Sequence, residues 1–450
     1  MLLTMVSVPV RILGTLQRAV CGKHRRLTRR CLHASCGLLE ATEATNQPLK
    51  TPNFTKEFRG MKAEFPCLAR MKQQGDQRVL TAAYGEEIKG FEVFHDLNSF
   101  HFHYGGIIPE IDLAYETWGE LNENKDNAII LHSALSASSH ASSHSMNTSP
   151  GWWEKFIGPG CPLDTNKFFI ICANNLGGCF GSSGPPSINP LTGQEYGTTF
   201  PLVTVKDMVY VIFLLLDYLG IEKVHASVGS SLGGMQSLLA AASYPDRVNS
   251  MITISSGAYA HPSAIALRYI QRRILMSDPN WNEGFYYGKK YPVMGMHHAR
   301  EVGTITYRSG PEWEKRFHRK RRSPDEIPSL CPDYEIEHYL DRQGEKFCQS
   351  NFDPNSWLYI SKAMDMFDMS DGFSSLHESL SRIKCPTLVM GAKSDILFPI
   401  TQQREIAHVL EQSGNKFVTF YEINSLYGHD TFLLDVNNVG AAVKGHLERS

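Results

Sequence analysis

An α/β fold, a mostly parallel sheet covered by helices with a helical insertion late in the chain, is predicted by three features of the sequence. Solidly apolar short runs recur, AIILHSAL at 128–135 and KFFIICANNLGG at 167–178 among them, as strands buried on both faces require. Segments of helical length and period alternate with them, such as VKDMVYVIFLLLDYLGI at 205–221. The alternation breaks off near residue 260, resumes near 385, and the intervening stretch differs in composition.

The chain has 450 residues, 42% hydrophobic and 20% charged, with a formal net charge of -2. That is ample for one large domain with an insertion. It supplies no overall positive field for nucleic acid or an anionic membrane, which leaves small-molecule chemistry as the better expectation. The apolar run at 208–220 falls short of a membrane span and contains a charge, so no transmembrane helix is predicted. Ten cysteines are scattered without a CxxC pair and read as free thiols in a reducing compartment.

Residues 1–39 contain no Asp or Glu but carry Arg11, Arg18, Lys23, Arg25, Arg26, Arg29 and Arg30. An acid-free, arginine-rich leader has the composition of a mitochondrial transit peptide, placed at 1–36, and a cytoplasmic location follows if it is not one. Residues 37–89 read as a linker and N-terminal extension. The core begins at 90, where alternating aromatic and polar residues followed by IDLAYETWG predict paired antiparallel strands. It continues through the runs at 128 and 167, the helix at 205–221 and a strand at 223–231, up to about residue 260. Residues 261–380, rich in Arg, Tyr, Met and Trp, form the predicted helical lid between the sixth and seventh strands. The second part of the core, 381–450, holds a strand within CPTLVMGAKSD, a helix at 400–414 ended by Gly414, and a strand at 416–423.

The serine doublet in VGSSLGG fits Gly-x-Ser-x-Gly in one frame, which makes Ser231 the candidate nucleophile and Ser230 the variable residue. A strand precedes it and a helix follows, the context that a strained nucleophile turn demands. Such a match also decorates ordinary turns, so its partners decide the reading. Asp395, in the loop after a late strand, and His429, after the next strand, complete the order Ser, Asp, His. His429 would take the Ser231 proton, and Asp395 would orient and stabilise the imidazole. The backbone amides of Leu232, at the helix start, and Leu135, after an earlier strand, are the candidate oxyanion donors. His140 and His144 in SASSHASSHS lack an evident third ligand, so that stretch reads as a solvated loop and no metal is predicted.

HSALSASSHA, PGWWEKFIGPGCPLDTNKFFIICANNLGGCFGSSGPPSINPLTG, VGSSLGGMQSL, GAKSDILFP and YGHDTFLL together resemble the homoserine O-acetyltransferase family of α/β-hydrolase-fold acyltransferases, from about residue 90 to the C-terminus. Within it, HPSAIALRYIQRRILMSDPNWNEGFYY and TYRSGPEWEKRF are most similar to fungal-type serine O-acetyltransferases, relatives of serine O-succinyltransferases. The resemblance implies an α/β-hydrolase fold with a helical lid and two-step acyl transfer from acetyl-CoA, or succinyl-CoA, to an amino-acid hydroxyl. It implies no bound cofactor, with acyl-CoA as co-substrate, and a homodimer. By the same likeness Arg272 matches the arginine that binds the acceptor carboxylate, with Arg268 and Arg273 as competitors, and Asp430 matches the carboxylate that binds its amino group.

Where homoserine enzymes commonly read His-Ala-Leu-Thr-Gly and Gly-Gly-Ser-Met-Gly-Gly, this chain has HSALSAS and VGSSLGG. Taken as lining the acyl and acceptor sites, these changes favour L-serine as acceptor, in cysteine biosynthesis, over homoserine in methionine biosynthesis. Hydrolysis of esters or thioesters by the same triad is the second alternative.

Overall fold

A computed structural model describes residues 67, 69, 70, 73, 89–326 and 330–449. The leader at 1–36 and most of the expected 37–89 linker lie outside the described residues.

Eight strands form one sheet: β1 (Glu92–Asp96), β2 (Ile111–Trp118), β3 (Ala128–His132), β4 (Phe169–Ala173), β5 (Ala226–Ser230), β6 (Met251–Ile254), β7 (Thr387–Ala392) and β8 (Val418–Ile423). Their spatial order is β1-β2-β4-β3-β5-β6-β7-β8. β1 and β4 pair antiparallel to β2, whereas β4, β3, β5, β6, β7 and β8 run parallel. Every residue of β3, β5, β6 and β7 is buried, which accounts for their unbroken apolar or small-residue sequence.

Helix α1 (Val205–Tyr218) starts with a capping box between Thr204 and Asp207, and α2 (Leu232–Ser243) follows β5 directly. Between β6 and β7 lie α3 (Pro262–Met276), α4 (Val293–Tyr307), α5 (Gly310–Phe317), α6 (Glu335–Cys348), α7 (Pro354–Asp365) and a further short helix, Leu376–Leu380. After β7 come α8 (Ile400–Gln412), then β8 and the C-terminal helix α9 (Val436–Leu447). Gly414, with φ of 86°, turns the chain after α8 as its sequence position predicts. No helix among the described residues is long and apolar enough to cross a membrane.

One expectation about the cysteines is corrected. Cys67 and Cys331 are joined in a disulfide across a sequence separation of 264 residues. Spacing alone carries no sign of a pair so far apart in the chain.

Candidate active site

Parallel strands aim their C-terminal ends at one edge of the sheet, and the loops there gather the predicted catalytic residues. Ser231 sits between β5 and α2 with φ 57° and ψ -122°, a left-handed conformation held by its surroundings. Its backbone N–H donates to Ile254 O at 2.9 Å, and its carbonyl accepts from Ser256 Oγ at 2.8 Å. The flanking glycines are required sterically. A Cβ on Gly229 would lie 2.0 Å from the carbonyl oxygen of Gly233, and one on Gly233 would lie 2.3 Å from that of His132. The Gly-x-Ser-x-Gly spacing therefore records a close approach of backbone segments around the turn.

His429 lies in a short helical turn after β8, Asp395 in the loop after β7. Asp395 Oδ2 accepts from His429 Nδ1 at 2.7 Å, which leaves Nε2 to accept from Ser231 Oγ at 2.9 Å. The other carboxylate oxygen of Asp395 accepts from the backbone N–H groups of Leu397 and Phe398, both at 2.9 Å. Phe398 stacks on the imidazole, and Phe432 meets it edge-on. The ring is thus fixed in plane, tautomer and direction.

Leu135 lines the pocket beside Ser231, and Leu232 is the first residue of α2, where backbone N–H groups lack intrahelical partners. The loop carrying Leu135 is tethered by residues that no sequence motif marks. Gln236 of α2 donates to Ser133 O at 3.3 Å and to Asn175 Oδ1 at 2.9 Å, while Asn175 donates to Ala134 O at 3.1 Å. The helix behind the nucleophile therefore also holds the loop of the expected second oxyanion donor.

The pocket over Ser231 and His429 has a volume of about 210 Å³. Its far wall comes from the helical insertion: Arg268 and Gln271 of α3, Arg300, Gly303, Thr306 and Tyr307 of α4, Trp357 and Met364 of α7. Here the expected arginine changes. Arg268, one of the competitors, lines the pocket, whereas Arg272 stands outside its wall. Arg268 Nε donates to Asp365 at 2.6 Å, and its two terminal nitrogens are buried without hydrogen-bond partners among the described residues. Arg272 pairs with the other oxygen of Asp365 at 2.5 Å and donates to Ser361. One helical turn separates the two residues, so sequence pattern could not choose between them.

Asp430 also lines the pocket, as expected, with Arg308 Nε at 3.2 Å. Burial pushes its carboxyl up to about 6, against the opposing pull of Arg308 and His429. Arg300 adds a second guanidinium to the wall; it lies over the rings of Tyr307 and Phe347, and its Nε has no hydrogen-bond partner among the described residues. Ser230 does not line the pocket. It is buried in β5, its hydroxyl without a hydrogen-bond partner among the described residues, so this position stands outside the pocket.

The His140–His144 stretch is not the solvated loop that the sequence suggested. Both side chains are largely buried and bond the same oxygen of Glu116 on β2, each at 2.7 Å. Glu116 is the third member of a cluster whose ligand atoms are close enough to hold a metal ion, as are those of His297, His298 and Glu301. Hydrogen bonding accounts for the first cluster as it stands. His140 faces two acceptors, Glu116 and the carbonyl of Ser149, so both its nitrogens donate and the ring is an imidazolium. Its pKa is raised accordingly, chiefly by the Glu116 bond. The pair anchors the loop running from Leu135 to Trp152, both of which line the pocket.

A model of the alpha/beta hydrolase fold matches residues 127–436. The chain is 47% identical to a serine O-succinyltransferase of Emericella nidulans over 85% of this chain and 87% of that one. It is 48% identical to a serine O-succinyltransferase of Schizosaccharomyces pombe, over 82% and 86%. The chain belongs to the α/β-hydrolase-fold O-acyltransferase family. A homoserine O-acetyltransferase of Deferribacter desulfuricans is 44% identical over 78% of this chain and 93% of its own. Among solved structures, homoserine O-acetyltransferase from Bacillus anthracis superposes with a TM-score of 0.73 at 30% identity, covering 81% of this chain and 99% of that one. Esterase E22 reaches the same TM-score at 28% identity, covering 80% and 100%. The chain is thus similar both to named acyltransferases and to an esterase.

Proposed function

We propose that the chain transfers the acyl group of an acyl-CoA thioester, succinyl-CoA by preference, to the hydroxyl of L-serine. The observation that carries this reading is the charge pattern facing the Ser231–His429–Asp395 relay. Arg268 and Arg272 share the single carboxylate of Asp365, which leaves one positive charge at the wall. Arg300 supplies a second, and Asp430 is the carboxylate in the pocket lining, while Arg308, Glu312 and Arg316 pair with one another behind it. A serine acceptor brings one carboxylate and one ammonium, and a succinyl group brings a second carboxylate. Two cations and one anion match that pair of substrates, whereas an acetyl donor leaves one guanidinium buried without an anion.

In the first half-reaction Ser231 Oγ attacks the thioester carbonyl carbon as its proton passes to His429 Nε2. The oxyanion forms against the amides of Leu135 and Leu232. The tetrahedral adduct then expels the thiolate, which takes the proton from His429, and Ser231 is left acylated. In the second half-reaction His429 accepts the proton of the serine hydroxyl, whose oxygen attacks the acyl carbon. Collapse breaks the bond to Ser231 Oγ, which recovers the proton and releases the O-acyl amino acid. Arg268 holds the acceptor carboxylate, Asp430 its ammonium, and the insertion serves as the lid that keeps water from the acyl-enzyme.

The leader composition supports import into mitochondria, and the family resemblance supports a homodimer. The likeness to esterase E22 favours hydrolysis as the second reading. A matrix of succinyl-CoA and acetyl-CoA against L-serine and L-homoserine, with mass detection of products, tests the assignment. Succinyl-CoA with L-serine gives the highest kcat/KM on this account. Equal rates on both amino acids remove the serine preference, and thiol release at full rate without any amino acid establishes the hydrolase.

A further inference from the structure

We infer that the nucleotide end of the acyl-CoA lies in a second, larger groove beside the active-site pocket, held by Lys155, Lys315 and Arg316. This rests on the acyl-CoA reading above. A pocket of about 210 Å³ accepts the acyl group and the acceptor but not the rest of a coenzyme A molecule. The remainder, an amide-rich pantetheine arm ending in a nucleotide with three phosphate groups, needs a site outside and within reach.

A groove of about 800 Å³ meets that need. Its walls continue those of the catalytic pocket along the same chain segments. Trp152 and Leu433 line the pocket, while Lys155 and Leu434 line the groove; Tyr427 lines the groove, and His429 two residues on lines the pocket. A closed seam of chain separates the two, so the pantetheine arm has to pass over its rim. Gly428, with φ of 62°, packs so closely that a Cβ there would lie 2.9 Å from the backbone carbon of Arg308 and 3.0 Å from Tyr307 O. Ser309 Oγ closes the same seam by donating to Leu426 O.

The lining chemistry follows the two parts of the ligand. Leu426, Tyr427 and Leu434 stand 43%, 40% and 43% exposed, an apolar strip for the pantetheine arm and a ring against which an adenine can stack. The groove also carries three cations against the carboxylates of Glu312 and Asp435, and both carboxylates are occupied. Glu312 pairs with Arg308 at 3.1 Å and with Arg316 itself at 3.7 Å, and Asp435 accepts from the backbone and side chain of Asn438. Lys155 and Lys315 have no ion-pair partner among the described residues, so their charge is left for phosphate.

The test is the double variant Lys155→Glu/Lys315→Glu, at two exposed positions outside the catalytic machinery. CoA is titrated into the wild-type protein and the variant by calorimetry, and KM is measured for acyl-CoA, acyl-pantetheine and L-serine. CoA affinity should fall about tenfold or more, with KM for acyl-CoA rising in parallel. KM for acyl-pantetheine, which has no nucleotide, and for L-serine should stay within twofold. CoA binding that is equal in both proteins, or absent from both, overturns the groove assignment. Charge-dependent CoA binding without acyl transfer keeps the groove and overturns the transferase reading instead.

Discussion

Arg268 gives only its Nε to Asp365, at 2.6 Å, and so keeps both terminal nitrogens unpaired among the described residues, while Arg272 occupies the other oxygen of the same carboxylate from outside the pocket wall. The two arginines are one helical turn apart and chemically identical, yet only Arg268 lines the pocket. Arg268→Ala should lower kcat/KM for the amino acid about 30-fold or more, since truncating one partner of a buried charge pair costs about 2–5 kcal/mol. Arg272→Ala leaves Arg268 in place and should cost less than about tenfold. Steady-state kinetics at varied amino acid separates them, and a larger loss in Arg272→Ala reverses the assignment.

Arg300 is the residue to which the donor preference is tied. Removing its charge with Arg300→Met should lower kcat/KM for succinyl-CoA by about tenfold or more, the worth of roughly 1.5–3 kcal/mol for a hydrogen bond to a charged group. Acetyl-CoA has no second carboxylate and should lose little. Parallel losses on both donors would make Arg300 a packing residue.

Gly229 faces the carbonyl of Gly233 at a distance that admits no side chain, 2.0 Å from an ideal Cβ. The three nearest atoms are all backbone, so nothing flexible can move aside. Gly229→Ala should destabilise the fold by at least the roughly 1–3 kcal/mol typical of overpacking and abolish transfer. Thermal unfolding and activity are measured together; a fully active, equally stable variant contradicts the turn geometry described here.

Asp430 is charged above about pH 6 and neutral below it, because burial raises its pKa. If it holds the acceptor ammonium, KM for L-serine rises as pH falls through about 6, while KM for the acyl-CoA does not follow. Asp430→Asn should remove that inflection and hold the acceptor KM near the wild-type low-pH value throughout. The stability effect has the opposite sense: the folded chain binds this proton more tightly than the unfolded chain. The group's contribution to stability therefore declines as pH rises from the ordinary carboxylate range to about 6. Initial rates between pH 5 and about 8 decide the first point, since His429 serves both half-reactions and cannot by itself produce an acceptor-only effect.

The sheet, its order of elements, the triad and the place of the insertion were legible because each leaves a local mark: an apolar run, a helical period, two glycines around a serine, a carboxylate after a strand. What was illegible depends on which way a side chain turns or on partners far apart in sequence. The choice of Arg268 over Arg272 depends on the face that α3 turns to the pocket. Glu116, which turns His140 and His144 into a buried cluster, comes from a strand 24 residues before the first of them. The Cys67–Cys331 bond spans 264 residues. Ser230 stood out by its neighbours in sequence, yet β5 buries it away from the pocket.

The central claim is that Ser231 carries the acyl group between two substrates, and the acyl-enzyme tests it most directly. The protein is mixed with succinyl-CoA in the absence of amino acid, quenched in acid and digested, and the peptides are weighed. One succinyl group should appear on the peptide containing Ser231, disappear when L-serine is added before the quench, and reappear as O-succinyl-L-serine. Acylation of another residue, or transfer that persists in Ser231→Ala, would contradict the account.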